Sequence, residues 1–319
     1  MKHGYFDNYK QHKLNHWGSG AQAREYIRQS ISESTLKAYL SDGRIFADWC
    51  NERGFEAMPA QPATIADFLA HQAKVGVSPS TLNRRIAAIR YAHEWEGITS
   101  PTGDKLVSAT LKGIRRATGA KPEKKAAATV DKIYSMIAQC DAKTLQGKRD
   151  RAILLLGFAG AFRRSELAGL ELSDIEFVTD GAKITIRKSK TDQEAQGQTI
   201  AIYNGRLNVV GILQGYIQSA GITEGALFRP ITKGGNLRPQ AISDKSIAET
   251  VKKYAQLAGL DPDQFAGHSL RAGFITSAAE AGANLFKIMD VSRHKSVQTV
   301  KGYVRNAEMF KDHAGSSFL

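Results

Sequence analysis

Apolar residues recur at three- and four-residue steps through the first third of the chain. Between Ser34 and Glu52 they fall at Leu36, Tyr39, Leu40, Phe46 and Trp49, the stripe of an amphipathic helix. Pro62 to Val75 repeats the pattern after Pro59 and Pro62, and Ser80 is the expected N-cap of a third helix running to Trp95. That helix turns Ile86, Ile89 and Ala92 inward and leaves Asn83, Arg84, Arg85 and Arg90 for solvent or for a phosphate backbone. A solvated charged face accounts for the same arginines.

The pattern breaks between Leu111 and Thr129, where large apolar residues thin out among Arg115, Arg116, other basic residues, Gly and Pro. The expected organisation is a flexible segment over 1–29, a helical domain over 30–118, a linker over 119–129 and a second domain over 130–319. Beyond the linker, helices dominate again, with the longest apolar run from Ala152 to Phe162 read as buried helix. One stretch differs. Ala182 to Ser189 alternates Ile184 and Ile186 with polar residues, and Thr199 to Tyr203 alternates similarly, which predicts a small antiparallel hairpin. Lys190 then sits at the end of a strand, on a polar connection containing Gly197, from which it can swing to a ligand. The fold class is mainly α, with a small antiparallel β-sheet in a mostly helical second domain.

Charge narrows the partner. Lys and Arg number 44 against 31 Asp and Glu, a formal +13, with a pI near 9.6. Such a balance favours polyanions through long-range attraction and counterion release. No stretch approaches the ~20 apolar residues of a membrane-spanning helix, and Met1 to Asn15 lacks the apolar core of a signal peptide. A cytoplasmic, nucleoid-associated protein without membrane contact is expected. Cys50 and Cys140 lie in segments read as separate helices without zinc-ligand spacing, and are expected to be buried and reduced. No GxxxxGK[ST] or GxGxxG phosphate loop is present, so nucleotide-driven chemistry is unsupported.

Chemistry concentrates in the second half. The apolar helix from Asp150 to Phe162 delivers Arg163 and Arg164 after its last buried residue. Ser165 is placed to cap the next short helix and Glu166 to brace an arginine through a charge-assisted bond. Gly267-His268-Ser269-Leu270-Arg271 opens another helix, and i, i+3 spacing puts His268 and Arg271 on one face, able to reach one phosphate. Ser292-Arg293-His294 precedes a short helix, Val297 to Val304, that presents Tyr303 nine residues after His294. Singly each has a bland reading, as a helix-end cap, a first-turn histidine or a packed tyrosine.

Together they can break a phosphodiester. A phenol with a pKa near 10 is about one part in a thousand ionised at pH 7, a deficit of ~4 kcal/mol, so a nucleophilic tyrosine needs a proton acceptor. The leaving 5′-hydroxyl needs a general acid, for which Lys190 is the candidate. Two arginines with imidazole donors can neutralise the equatorial oxygens of an in-line transition state, which makes a metal or other cofactor unnecessary.

These motifs resemble those of the tyrosine recombinases, also called phage integrases. The family's first box is similar to Gly160-Ala-Phe-Arg163-Arg-Ser-Glu-Leu167, its hairpin lysine to Lys190, its second box to Gly267-His268-Ser-Leu-Arg271 and its last to His294 through Tyr303. The resemblance implies a core-binding domain and a catalytic domain that clamp double-stranded DNA carrying a specific recombination site. Two protomers would occupy one site and four a synapse. It also implies that Arg163, His268, Arg271 and His294 activate the scissile phosphate, that Lys190 is the general acid and that Tyr303 is the nucleophile. Arg84, Arg85, Arg90, Arg115, Arg116 and Lys245, the last on a helix read from Ser243 to Ala258, are the expected DNA contacts.

Two departures stand out. The family often has Gly-Leu-Arg where this chain has Ala-Phe-Arg, and Leu-Gly-His where it has Ser-Arg-His. Arg293 is thereby a further cation beside His294, expected to tune DNA affinity or to be exposed. The segment from Asn306 to Leu319 resembles the tail that the family docks into a neighbouring protomer, with Met309, Phe310, Phe318 and Leu319 as anchors. Residues 1–30 are too short for an arm-binding module. Three alternatives stay open: a type IB topoisomerase, a non-cutting DNA-binding or architectural protein of the same fold, and a metal-dependent nuclease, for which no carboxylate cluster has ligand-like spacing.

Overall fold

The structure is a computed structural model in which residues 26, 30–119, 125–187 and 197–307 are described, with side chains described to residue 304. Lys190, the remainder of 1–29 and the anchors expected in the C-terminal tail lie outside the described residues. The chain divides into two units, Met1–Glu123 and Lys124–Leu319.

The first unit consists of helices α1 (Glu33–Glu52), α2 (Pro62–Lys74), α3 (Pro79–Trp95) and α4 (Lys105–Ala117). Their starts follow local chemistry. Ser32 Oγ accepts from Thr35 N at 3.2 Å to open α1, and Asp104 Oδ1 accepts from Leu106 N at 2.7 Å to open α4. The cap of α3 is Ser78 rather than the expected Ser80. Ser78 Oγ accepts from Thr81 N at 3.3 Å, and Pro79 takes the first helical position, where its missing N–H costs nothing. Phe46, Trp49, Phe68, Leu69, Leu82 and Ile89 form the core, with Phe46 edge-on to Phe68 at 5.1 Å.

Arg85 corrects the reading of α3 as a uniformly exposed basic face. It is buried, hydrogen-bonded to Gln72 Oε1, with its Nε 3.6 Å from Asp42 Oδ1. The reason is positional: Arg85 lies three residues after Leu82 and four before Ile89, on the buried stripe. Asp42 on α1 supplies the compensating charge.

The second unit contains α5 (Val130–Ala138), α6 (Leu145–Ala159), α7 (Arg164–Ala168), strands β1 (Ile175–Val178), β2 (Gly181–Ile186) and β3 (Gln198–Tyr203), then α8 (Val209–Ala220), α9 (Asp244–Leu257), α10 (His268–Glu280), α11 (Leu285–Ser292) and α12 (Val297–Ala307). The strands form an antiparallel sheet in the order β1-β2-β3, with Ile184 opposite Ile200 and Ala182 opposite Ile202. Ala182, Ile184, Ile186, Ile200 and Ile202 face the core, as the alternation predicts. The edge strand β1 was not expected, because Glu176, Phe177 and Val178 are all exposed and leave no alternation to read.

The central element is α6, whose Ala152 to Leu156 are buried all round. It runs from Leu145, earlier than the expected Asp150, and ends at Ala159, before Phe162. The segment expected as linker ends within this unit. Ala126 N donates to Gln264 O at 2.7 Å, Ala128 N to Ser269 O at 2.9 Å, and Ala128 is fully buried. Two glycines let α10 approach its neighbours. A Cβ on Gly273 would overlap the carbonyl of Ala128, and one on Gly157 would lie 2.6 Å from Leu270 Cδ1. Cys50 and Cys140 are free and buried, and Cys140 lies just beyond α5 rather than within a helix.

Candidate active site

The site is assembled where α6 ends, α10 begins and the turn between α11 and α12 returns. After α6 the chain passes through Ala161 at φ 45° and buried Phe162 to Arg163, the N-cap residue of α7. Ser165, expected to cap that helix, lies inside it. Glu166 supplies the closure instead: its Oε2 accepts from Arg163 N at 2.9 Å, and its Oε1 accepts from Arg163 Nη1 at 2.5 Å. The bracing expected of Glu166 is therefore present as a charge-assisted bond.

His268 is the first residue of α10, and Gly267 before it is in close contact with Arg164, leaving no room for a Cβ. One turn on, Arg271 is 1% exposed and donates from Nη1 to Ala161 O at 2.8 Å. Its Nη2 lies 3.2 Å from His294 Nδ1, which Ser292 Oγ also approaches at 2.9 Å. On α12, Tyr303 packs with Ile275, Ala279, Ile288 and Val300, and its Oη lies 3.4 Å from His268 Nε2. Helix and turn thus pair His268 with Tyr303 and Arg271 with His294, and the Arg271 charge acts on both His268 and Tyr303.

Electrostatics set the proton positions. Burial, reinforced by Arg271 and Arg163, lowers His294 to about 4 and also pulls His268 below its ordinary value. Both imidazoles are therefore neutral at pH 7 and able to accept a proton. Burial raises the Tyr303 phenol, against which Arg271 acts in the opposite direction. Burial also lowers the Arg271 guanidinium to about 9, which keeps it charged at pH 7. For Glu166 burial favours the neutral form, but Arg293 and Arg163 outweigh it and hold the carboxyl below the usual range. Among the described residues no group of three or more His, Cys, Asp or Glu has the arrangement of a metal site.

Arg293 overturns its expectation. It is 5% exposed, and its guanidinium points inward to Gly160 O, Ala161 O, Val291 O and Glu166 Oε2. It is almost closed to solvent. The two family glycines that this chain lacks supplied a signal: both positions, Ala161 and Arg293, adopt the left-handed backbone that favours glycine, at φ 45° and 56°.

Of the expected DNA contacts, Arg84 is exposed but ion-paired to Asp42 at 2.6 Å, and Arg90 donates to Thr102 Oγ1 at 3.1 Å. Arg115 donates to Asn83 Oδ1 at 3.0 Å. Arg116 and Lys245 are exposed, and only Arg85 is withdrawn from the surface.

Residues 127–309 match the profile of the phage integrase family, and residues 25–96 that of the phage integrase N-terminal SAM-like domain. An integrase/recombinase xerD homolog of Selenomonas ruminantium is 40% identical over 302 residues, covering 92% of this chain and 87% of that protein. The recombinase cre of Escherichia phage P1 is 26% identical over 302 residues, covering 88% and 86%. The crystal structure of XerH site-specific recombinase bound to palindromic difH substrate, a post-cleavage complex, superposes with a TM-score of 0.66 at 14% identity. That superposition covers 88% of this chain and 79% of the XerH chain, and at such identity the likeness is one of fold. A family profile over more than half of the chain, and a relative 40% identical along nearly the full chain, make this protein a member of the phage integrase family, the tyrosine recombinases.

Proposed function

We propose that this protein is a site-specific recombinase of double-stranded DNA that cuts and rejoins strands through Tyr303, without metal or ATP. The observation that carries the reading is the Tyr303 hydroxyl 3.4 Å from a neutral His268, beside Arg271 and its partner His294. In the proposed step Tyr303 Oη attacks the scissile phosphorus as its proton passes to His268 Nε2. The bond from phosphorus to the 5′-oxygen breaks, leaving a 3′-phosphotyrosine. Lys190, on the β2–β3 connection, protonates the departing 5′-oxygen. Arg163 and Arg271 bind the non-bridging oxygens as fixed cations, and His294 adds a hydrogen bond. Reversal on the 5′-hydroxyl of a partner strand rejoins DNA with the phosphodiester energy kept in the tyrosine linkage.

Two protomers on one site and four in a synapse fit this chemistry, because exchange needs four cleavable strands. The xerD homolog and the P1 recombinase carry recombinase names across comparable lengths, which supports the same substrate class here. The test uses nicked duplexes tiling the DNA that flanks the gene, in excess EDTA. Wild-type protein should form a denaturation-resistant adduct mapping to Tyr303, and Tyr303→Phe none. An adduct formed by the Phe variant, or activity abolished by EDTA, overturns the reading.

A further inference from the structure

We infer that Arg293 is a positioning residue for strand cleavage, an internal clamp that holds Arg163, Arg271 and His294 in register; the inference rests on the recombinase reading above. Its backbone sits at φ 56°, in the left-handed region that glycine enters freely and a residue with a Cβ disfavours. Its side chain is 2% exposed, so a cation has been taken out of water next to two further arginines. The left-handed backbone is that of a residue ending α11, but a residue that only ended the helix would not need a buried guanidinium.

The guanidinium connects three segments. Nη1 donates to Gly160 O at 2.9 Å and to Val291 O at 2.7 Å, while Nη2 donates to Ala161 O at 3.0 Å and to Glu166 Oε2 at 2.8 Å. The group also stands 5.2 Å over the Phe162 ring. These bonds pin the turn through Ala161, whose own φ of 45° marks a conformation that its side chain does not favour. Ala161 O is shared with Arg271 Nη1, and the Glu166 carboxylate is shared with Arg163. His294 is the next residue in the chain. Arg293 thus reaches each of three phosphate-facing residues through one acceptor or one peptide bond.

Sharing Glu166 has a chemical consequence. With Oε2 taken by Arg293 Nη2 and by Arg163 N, the Arg163 guanidinium holds only Oε1, through Nη1. Its remaining N–H groups are left for a phosphate oxygen. Without Arg293, Arg163 can close both prongs of its fork on the carboxylate, which withdraws it from substrate. The charged groups that face Glu166 are Arg163 at the start of α7, Arg293 from the α11–α12 turn and Arg271 from α10.

The experiment compares wild type, Arg293→Met, Arg293→Lys and Arg293→Gly on the nicked duplexes, with single-turnover cleavage followed from acid to neutral pH. A parallel 13C NMR titration follows the Glu166 carboxyl without any need for turnover. Arg293→Met should slow cleavage on the order of 10²-fold, the scale of a 1 Å misplacement. Its DNA affinity should keep the wild-type salt slope, since a lost phosphate contact would change that slope by about 0.9. The acid limb of its pH profile and the Glu166 titration should both move to higher pH. Arg293→Lys should restore the acid limb, because the charge returns, but not the rate, because the fork does not. Arg293→Gly suits the left-handed backbone and keeps the test alive if Arg293→Met does not fold. Wild-type rate and acid limb in the Met or Gly variant overturn the inference, as does a slower rate with both titrations unmoved. If wild type forms no adduct, the recombinase reading fails, and the carboxyl titration alone decides whether Arg293 holds the Glu166 charge.

Discussion

His294 binds its proton less readily in the folded site than a free imidazole does, about 4 against 6.5, because burial and then Arg271 disfavour a second positive charge. Between those values the unfolded chain holds more protons than the folded one. The contribution to stability is therefore complete above about 6.5 and is lost as pH falls toward 4. The ring is half-buried, so the loss is discounted to on the order of 1 kcal/mol. Urea unfolding at pH 5 should show a lower midpoint than at pH 7.5, and His294→Gln should flatten the difference. His268 and Arg271 were legible because i, i+3 spacing puts them on one face of a helix, and His294 and Tyr303 because each flanks or stands in one short helix. Arg293 and Arg85 were not, since charge in a sequence reads as exposure and only a tertiary partner, Glu166 or Asp42, makes burial of a guanidinium tolerable. Glu166→Gln should accordingly destabilise the protein by about 3–5 kcal/mol, the cost of breaking a buried ion pair from one side. Thermal unfolding beside wild type measures it.

Among elements, α10 carries the heaviest geometric demand, because His268 and Arg271 reach the site only if the helix packs tightly on its neighbours. Gly273 lies against the Ala128 carbonyl, and Val130 N donates to Ser277 Oγ at 2.9 Å on the same helix. A methyl at Gly273 must displace backbone rather than a flexible side chain. Gly273→Ala should cost about 1–3 kcal/mol in urea unfolding and slow adduct formation, although residue 273 touches no reacting group. An exposed control, Gly113→Ala on α4, has open space around its Cβ and should be neutral or slightly stabilising. Helices with one apolar stripe, such as α1, were readable to within a residue or so. The α3 cap and β1 were not: Ser78 and Ser80 are equally good capping residues until Pro79 fixes the start, and an edge strand exposed along its length has no buried face to betray it.

At the scale of the whole molecule, each unit holds its own core, so folding is explained unit by unit while the excess of positive charge belongs to the chain as a whole. A protein that neutralises roughly 6 to 10 phosphates releases their counterions, and its affinity for duplex DNA then falls about 10³- to 10⁵-fold between 50 and 200 mM salt. The slope of log affinity against log salt counts those phosphates and can be apportioned by substitution. Arg116 and Lys245 are exposed, so replacing either with Gln should lower the slope by about 0.9 if it grips a phosphate. Arg85→Gln should behave oppositely, leaving the slope unchanged while lowering the unfolding midpoint, because that guanidinium already belongs to Asp42 and Gln72 inside the first unit. Fluorescence anisotropy on one labelled duplex across a salt series supplies every slope. A shallow wild-type slope would remove the extensive phosphate grip, and a reduced slope for Arg85→Gln would mean that the buried pair opens when DNA binds.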